Sequence, residues 1–144
     1  MAEQSWVDLR RVALAGLAGG VVWSGWNAFI NLWVLQSRYA VAAEGERLLL
    51  EPRYTFYVPG SYAILFVLSL IIAWLYAWIR PARGKGLRTS LPVGFLVGLV
   101  AGLPANYYVV CLVDIDKLFP FWWMLDFWVG SILAALVAGF VYRD

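Results

Sequence analysis

The stretch Gly94-Phe95-Leu96-Val97-Gly98-Leu99-Val100-Ala101-Gly102-Leu103-Pro104-Ala105-Asn106 sets glycine at every fourth position, then an asparagine, inside an uncharged run. At about 3.6 residues per turn, Gly94, Gly98, Gly102 and Asn106 share one helical face. The segment therefore reads as an apolar helix whose small, partly polar side faces another helix rather than lipid. The pattern recurs twice: as Gly16, Gly20, Ser24, Asn27 and Asn31, and, running the opposite way, as Asp126, Gly130, Ala134 and Ala138. Three such stripes predict a tight bundle with a polar pocket in one half.

Working outward, Val12–Leu35, Tyr57–Ile79, Leu91–Val113 and Phe119–Tyr142 contain no charged residue except Asp126. Each is about 23 residues, or roughly 35 Å of helix, enough to cross a hydrocarbon core of about 30 Å. With 63% hydrophobic and 14% charged residues and a mean hydropathy of +0.75, the composition is that of a membrane protein. The expected fold is all-α: one antiparallel four-transmembrane-helix bundle spanning residues 1–144. The first segment reads as a span and not as a cleaved signal, because it exceeds a signal h-region and holds two asparagines. The single Cys111 permits no internal disulfide and reads as a core residue.

Seven of the eleven Lys and Arg residues (Arg10, Arg11, Arg80, Arg83, Lys85, Arg88 and Arg143) fall at the termini and in the second loop. Arg38, Arg47, Arg53 and Lys117 lie on the other side. The positive-inside bias predicts that both termini are cytoplasmic. The basic second loop reads as a turn beside anionic headgroups, not as a nucleic-acid site. The long first loop, 36–56, is expected to carry a short helix over 40–50 on the outer surface. Trp33, Tyr39, Tyr54, Tyr57, Tyr107, Tyr108, Trp122 and Trp123, with Trp74, Tyr76, Trp78 and Tyr142 opposite, read as interfacial belts, and Trp6 in the N-terminal lead reads as a headgroup-level residue. Placing Asn27 over Asn106 puts Gly19 over Gly98, a weak sign of two repeated hairpins.

With no histidine and one cysteine, the usual ligands for haem, copper, zinc or an iron–sulfur cluster are missing, as is the commonest general base. No phosphate loop, nucleophile elbow or zinc-protease motif is present. No catalytic residue, metal site or cofactor is expected. The candidate binding residues are Asn27, Asn31, Asn106 and Asp126, with Ser61, Tyr62 and Tyr107 within reach. A carboxylate at the bilayer centre costs roughly 2.5–3.5 kcal/mol on insertion scales, so Asp126 should face the bundle and have a partner. It either fastens helices through the amides or binds a cation, proton or small solute. Pro104 removes a helical hydrogen bond beside Asn106, which either exposes backbone at a site or only bends the rod. Trp23 and Trp26 lie nearer mid-membrane than a belt requires. They pack the core, meet a partner, or contact a flat apolar ligand.

The Ala-Gly-Leu-Ala-Gly-Gly start at residues 15–20 with Trp26-Asn27, the basic loop leading to Gly94–Gly98, the Pro104-Ala105-Asn106 step and the Trp123–Gly130 stretch resemble a loosely defined group of small bacterial four-span membrane proteins of unassigned function. The resemblance implies a bacterial cytoplasmic-membrane location and supplies no activity. Three functions stay open: a non-enzymatic accessory or scaffolding subunit that contacts other membrane subunits or itself, a small channel or transporter, and a lipid, quinone or pigment binder.

Overall fold

Asp8 starts the first helix. Its Oδ1 accepts from the backbone N–H groups of Arg10 and Arg11 at 3.0 and 3.2 Å, two donors that no earlier turn can satisfy. Asp8→Ala is expected to cost about 1 kcal/mol, seen as a lowered melting temperature of the detergent-solubilised protein with unchanged helicity. The computed structural model describes residues 7–45, 48–49 and 51–142. Trp6, Arg47, Arg143 and part of the expected 40–50 helix lie outside them.

Helix α1 (Leu9–Phe29) runs into a single π-helical turn, Ile30–Val34, in which Leu35 N donates to Ile30 O at 3.0 Å. After it come α2 (Gln36–Glu44), α3 (Tyr57–Arg83), α4 (Leu87–Leu112) and α5 (Leu118–Val141). The described residues are all helix and connecting turns. α1 with its π turn, α3, α4 and α5 are each long and apolar enough to cross a membrane, within a few residues of the expected spans. The chain is a multi-pass membrane protein whose outward faces meet the lipid bilayer. The α3–α4 turn needs left-handed backbone at Gly84 (φ 91°) and Gly86 (φ 75°). It is fastened by Thr89 Oγ1 donating to Gly84 O at 2.6 Å and Gly86 N donating to Tyr76 Oη at 3.0 Å. Pro59 and Pro120 sit in first turns, where a missing N–H leaves no bond unmade. α4 continues as one helix through Pro92 and Pro104.

The small-residue stripes are seams within the chain. A Cβ on Gly94 would come within 2.7 Å of Ile132 Cα, and one on Gly98 within 2.7 Å of Trp128 Cα, so α4 lies directly on the α5 backbone. The opposite side of α5 meets α1: a Cβ on Gly130 would fall 2.0 Å from Trp23 Nε1, and one on Gly19 3.1 Å from Ala134 O. Gly16 and Gly20 leave room for Leu70 and Phe66 of α3. α5 is therefore the central helix, with α1 and α4 on opposite flanks, and α1 and α4 scarcely meet. At the glycines paired in the repeat alignment, Gly19 faces the Ser69 hydroxyl of α3 as well as Ala134 of α5, and Gly98 faces the Ser131 hydroxyl of α5. At the asparagines the two hairpins diverge.

The outer-surface helix differs from expectation in position and role. It spans Gln36–Glu44 and ends at Gly45, because Leu35, Tyr39 and Ala42 form an i, i+4, i+7 stripe that packs with Ile30 and Phe119. Arg38 Nη1 pairs with Asp116 Oδ2 at 2.7 Å, tying α2 to the turn before α5. Cys111 is exposed at the end of α4 and not a core residue, since it lies beyond the glycine seam that holds that helix to α5.

Candidate functional site

The polar cluster is a hydrogen-bonded chain that leaves α5 and returns to it. Trp123 Nε1 on α5 donates to Tyr39 Oη on α2 at 3.0 Å, and Tyr39 Oη donates to Asn31 Oδ1 in the π turn at 2.7 Å. Asn31 Nδ2 donates to Asn27 O at 2.9 Å, and Asn27 Nδ2 on α1 donates to Asp126 Oδ2. The donors all point along the chain toward the carboxylate, and the bonds from Trp123 through Tyr39 and the Asn31 amide to Asn27 O form one run that can polarise, which the separate Asn27 side-chain amide follows. Burial pushes the Tyr39 phenol above the usual tyrosine range, so it keeps the proton it donates.

Asp126 is 2% exposed. Its Oδ2 is held by Asn27, while Oδ1 is buried without a hydrogen-bond partner. The Trp23 indole lies beside this carboxylate, yet its own N–H also completes no hydrogen bond. Trp23 is fully buried, seated over Gly130 and edge-on to Phe127 at 5.9 Å between ring centroids. Its faces are taken by protein, which leaves none open to a flat ligand. Trp26 is half-buried and stacks on Phe29 at 5.8 Å.

The structure joins Asn27, Asn31 and Asp126 and leaves Asn106 out of the cluster. Asp126, Gly130 and Ala134 point to α1, Met124 and Trp128 point to α4, and Phe127 stands between, its Cβ beside Gly102 and its ring against Trp23. Asn106, one turn beyond Gly102, follows the α4 seam to that second face and donates to Gly102 O of its own helix at 2.7 Å. Ser61 likewise donates to its own helix, at Tyr57 O, 2.7 Å. Tyr62 is half-buried in the apolar core, and Tyr107 is exposed on the outer side of α4. Tyr39, read from sequence as a belt aromatic, is the link that sequence reasoning missed. The Leu35, Tyr39, Ala42 spacing was the signal that could have found it.

Chemically, this site offers one carboxylate, the Asn27 amide engaged with it, the Asn31 amide spent on Asn27 O, and a neutral phenol. It has no nucleophile paired with a base. No protein-family model matches the chain, and no curated protein or solved structure matches it either.

Proposed function

We propose that the protein is a non-enzymatic accessory or scaffolding subunit of a larger membrane assembly, in a bacterial cytoplasmic membrane with both termini cytoplasmic. The observation that carries this reading is the broad apolar face that α4 leaves open. Only 11% of its most apolar window is buried, against 33% in each of the other three spans. One glycine seam holds it to α5, and Leu96, Val100, Leu103 and Tyr107 form an open i, i+4, i+7, i+11 stripe on its far side. A second subunit packed there would cover that open face. The internal clasp fits this reading, since Asn27 and Asp126 engage each other. Extraction from the source membrane in a mild detergent, followed by mass spectrometry of what travels with the chain, is expected to return a stoichiometric membrane-protein partner. Val100→Arg on the open stripe is expected to release it. A chain that travels alone overturns the proposal.

A second reading has its own observation. The unpartnered Asp126 Oδ1 beside the Trp23 N–H is where a proton or small cation would be taken up by a transporter. It predicts that Asp126→Asn abolishes flux in proteoliposomes, and unchanged flux removes it.

A further inference from the structure

At the end of the bundle where α1 begins and α3 and α5 finish, a basic cleft of about 330 Å³ is lined by Ala77, Arg80, Pro81, Gly84, Lys85 and Tyr142. That is within the range of about 300–1,000 Å³ usual for small-molecule sites. Both cations of the cleft are placed by one pair of buried tyrosines. Tyr142 is held by its Oη, which accepts from Asp8 N at 3.0 Å, and by its ring, which meets Tyr76 edge-on at 6.2 Å between centroids. The guanidinium carbon of Arg80 stands 5.4 Å from the centre of the Tyr142 ring. The charged group itself, and not only its carbon stem, therefore lies at the wall. Stacking uses the flat face of a guanidinium, whereas phosphate oxygens are bound along its N–H edge. Lys85 stands between Gly84 and Gly86, whose left-handed backbone turns the chain, and Gly86 N donates to Tyr76 Oη at 3.0 Å. The turn that carries the ammonium is thus fastened to the neighbour of the ring that carries the guanidinium.

We infer that this cleft binds a phosphate group, carried by a lipid headgroup or free in solution, with the Arg80 guanidinium and the Lys85 ammonium as its cationic partners. Two cations lining one cleft repel each other, and an anion between them stabilises both. Among the described residues the one acid at this end is Asp8, whose carboxylate caps α1 and pairs with Arg11 at 3.2 Å. A cation would be repelled here, and a neutral apolar molecule would gain nothing from paired positive charges. The cleft opens where the apolar run of α3 stops at Ile79, the level of lipid phosphates, and basic pockets between membrane helices at that level hold anionic headgroups. A loop that merely lies beside a charged membrane would draw on Arg80, Arg83, Lys85 and Arg88 alike, whereas the cleft selects Arg80 and Lys85. The inference does not rest on the subunit reading, because every group of the site belongs to a single chain.

The test uses the full chain, purified in a mild detergent and washed free of lipid. Native mass spectrometry follows titration with phosphatidylglycerol or with phosphatidylcholine of the same acyl chains, and calorimetry follows titration with inorganic phosphate. The wild type is expected to prefer phosphatidylglycerol by about 25-fold, roughly fivefold for each cation. Lys85→Gln, in an exposed turn, is expected to lower the preference to about fivefold, and Arg80→Gln to do the same. Arg88→Gln removes the same charge at the same end of the bundle but outside the cleft, and is expected to leave the preference unchanged. Lipid preference without phosphate binding assigns the headgroup as the source, phosphate binding weakened by Lys85→Gln without lipid preference assigns the free ion, and both together assign the group whatever carries it. A wild type that binds in neither arm, or a Lys85→Gln protein that behaves as Arg88→Gln does, overturns the inference. If Arg80→Gln fails to fold, the comparison of Lys85→Gln with Arg88→Gln still decides.

Discussion

Gly130→Leu is expected to dismantle the bundle, with a loss of more than about 3 kcal/mol, the upper end of what overpacking costs in a well-filled core. Even an alanine methyl at this position would lie 2.0 Å from Nε1 and 2.2 Å from Cδ1 of Trp23. The indole is rigid and fully buried, so it cannot swing aside as a lysine tip would. It is held from below by Phe127 on the same helix as Gly130. Relief therefore requires α1 and α5 to separate, and that separation also pulls Asn27 from Asp126. Gly130→Ala is expected to fall between wild type and Gly130→Leu, at about 2 kcal/mol. Gly25 supplies the contrast in the same helix as Trp23. A Cβ there meets nothing within 4 Å, so Gly25→Ala is expected to be neutral or to stabilise by up to about 1 kcal/mol through helix propensity. Thermal unfolding in detergent, followed by tryptophan fluorescence and circular dichroism, reads all three. A Gly130→Leu protein that melts like its parent would mean that Trp23 does not sit on Gly130.

The contrast between these glycines marks what the sequence reveals and what it leaves out. Four uncharged runs of bilayer length and the fourfold spacing of small residues are local properties, and they suffice for a four-helix bundle with close seams. Which seam meets which helix is not local. The stripe Gly16, Gly20, Ser24, Asn27, Asn31 looks like one face, yet Gly16 and Gly20 pack on α3 while Asn27 reaches α5. Gly19 and Trp23, outside that stripe, complete the contact with α5. A helix with two neighbours has two overlapping faces, and spacing alone merges them. α5 poses the same problem more sharply, since its two flanks carry separate rows of contacts. Asn106 was grouped with Asp126 because both lie in the same half of the membrane. Depth follows from counting residues along a helix, whereas azimuth depends on the order of helices around α5. Tyr39 was hidden for a different reason. Its helix lies outside every apolar run, and its role depends on the π turn at Ile30–Val34, which no residue in that stretch announces.

Azimuth can be measured by energetic coupling between Asn27, Asn106 and Asp126. Asn27→Leu leaves a 98%-buried carboxylate without its donor, Asp126 itself being 2% exposed. Hydrogen bonds between membrane helices average about 0.6 kcal/mol and reach about 1.7, because the separated helices also find partners in the bilayer. This bond ends on a carboxylate and belongs to the upper part of that range. Asn27→Leu is therefore expected to lose about 1.5 kcal/mol, and Asp126→Leu a similar amount, since it leaves the Asn27 amide with no acceptor. The double substitution removes both needs at once. It is expected to be less destabilising than the sum of the single losses by about 1–2 kcal/mol. Asn106→Leu gives the comparison. Its amide bonds within α4, on the far side of α5. Its effect is expected to add to that of Asp126→Leu within about 0.5 kcal/mol, as for sites that share no partner. Reversible unfolding in detergent, with each single and double variant measured under the same conditions, yields both couplings. Equal coupling of Asp126 to Asn27 and to Asn106 would place both amides on one side of α5. That would require α4 and α1 to be neighbours, and the seams at Gly98 and Gly130 could not then both be as described. Strong coupling to Asn27 alone means that the carboxylate fastens α1 to α5 and that Asn106 belongs to the separate seam between α4 and α5.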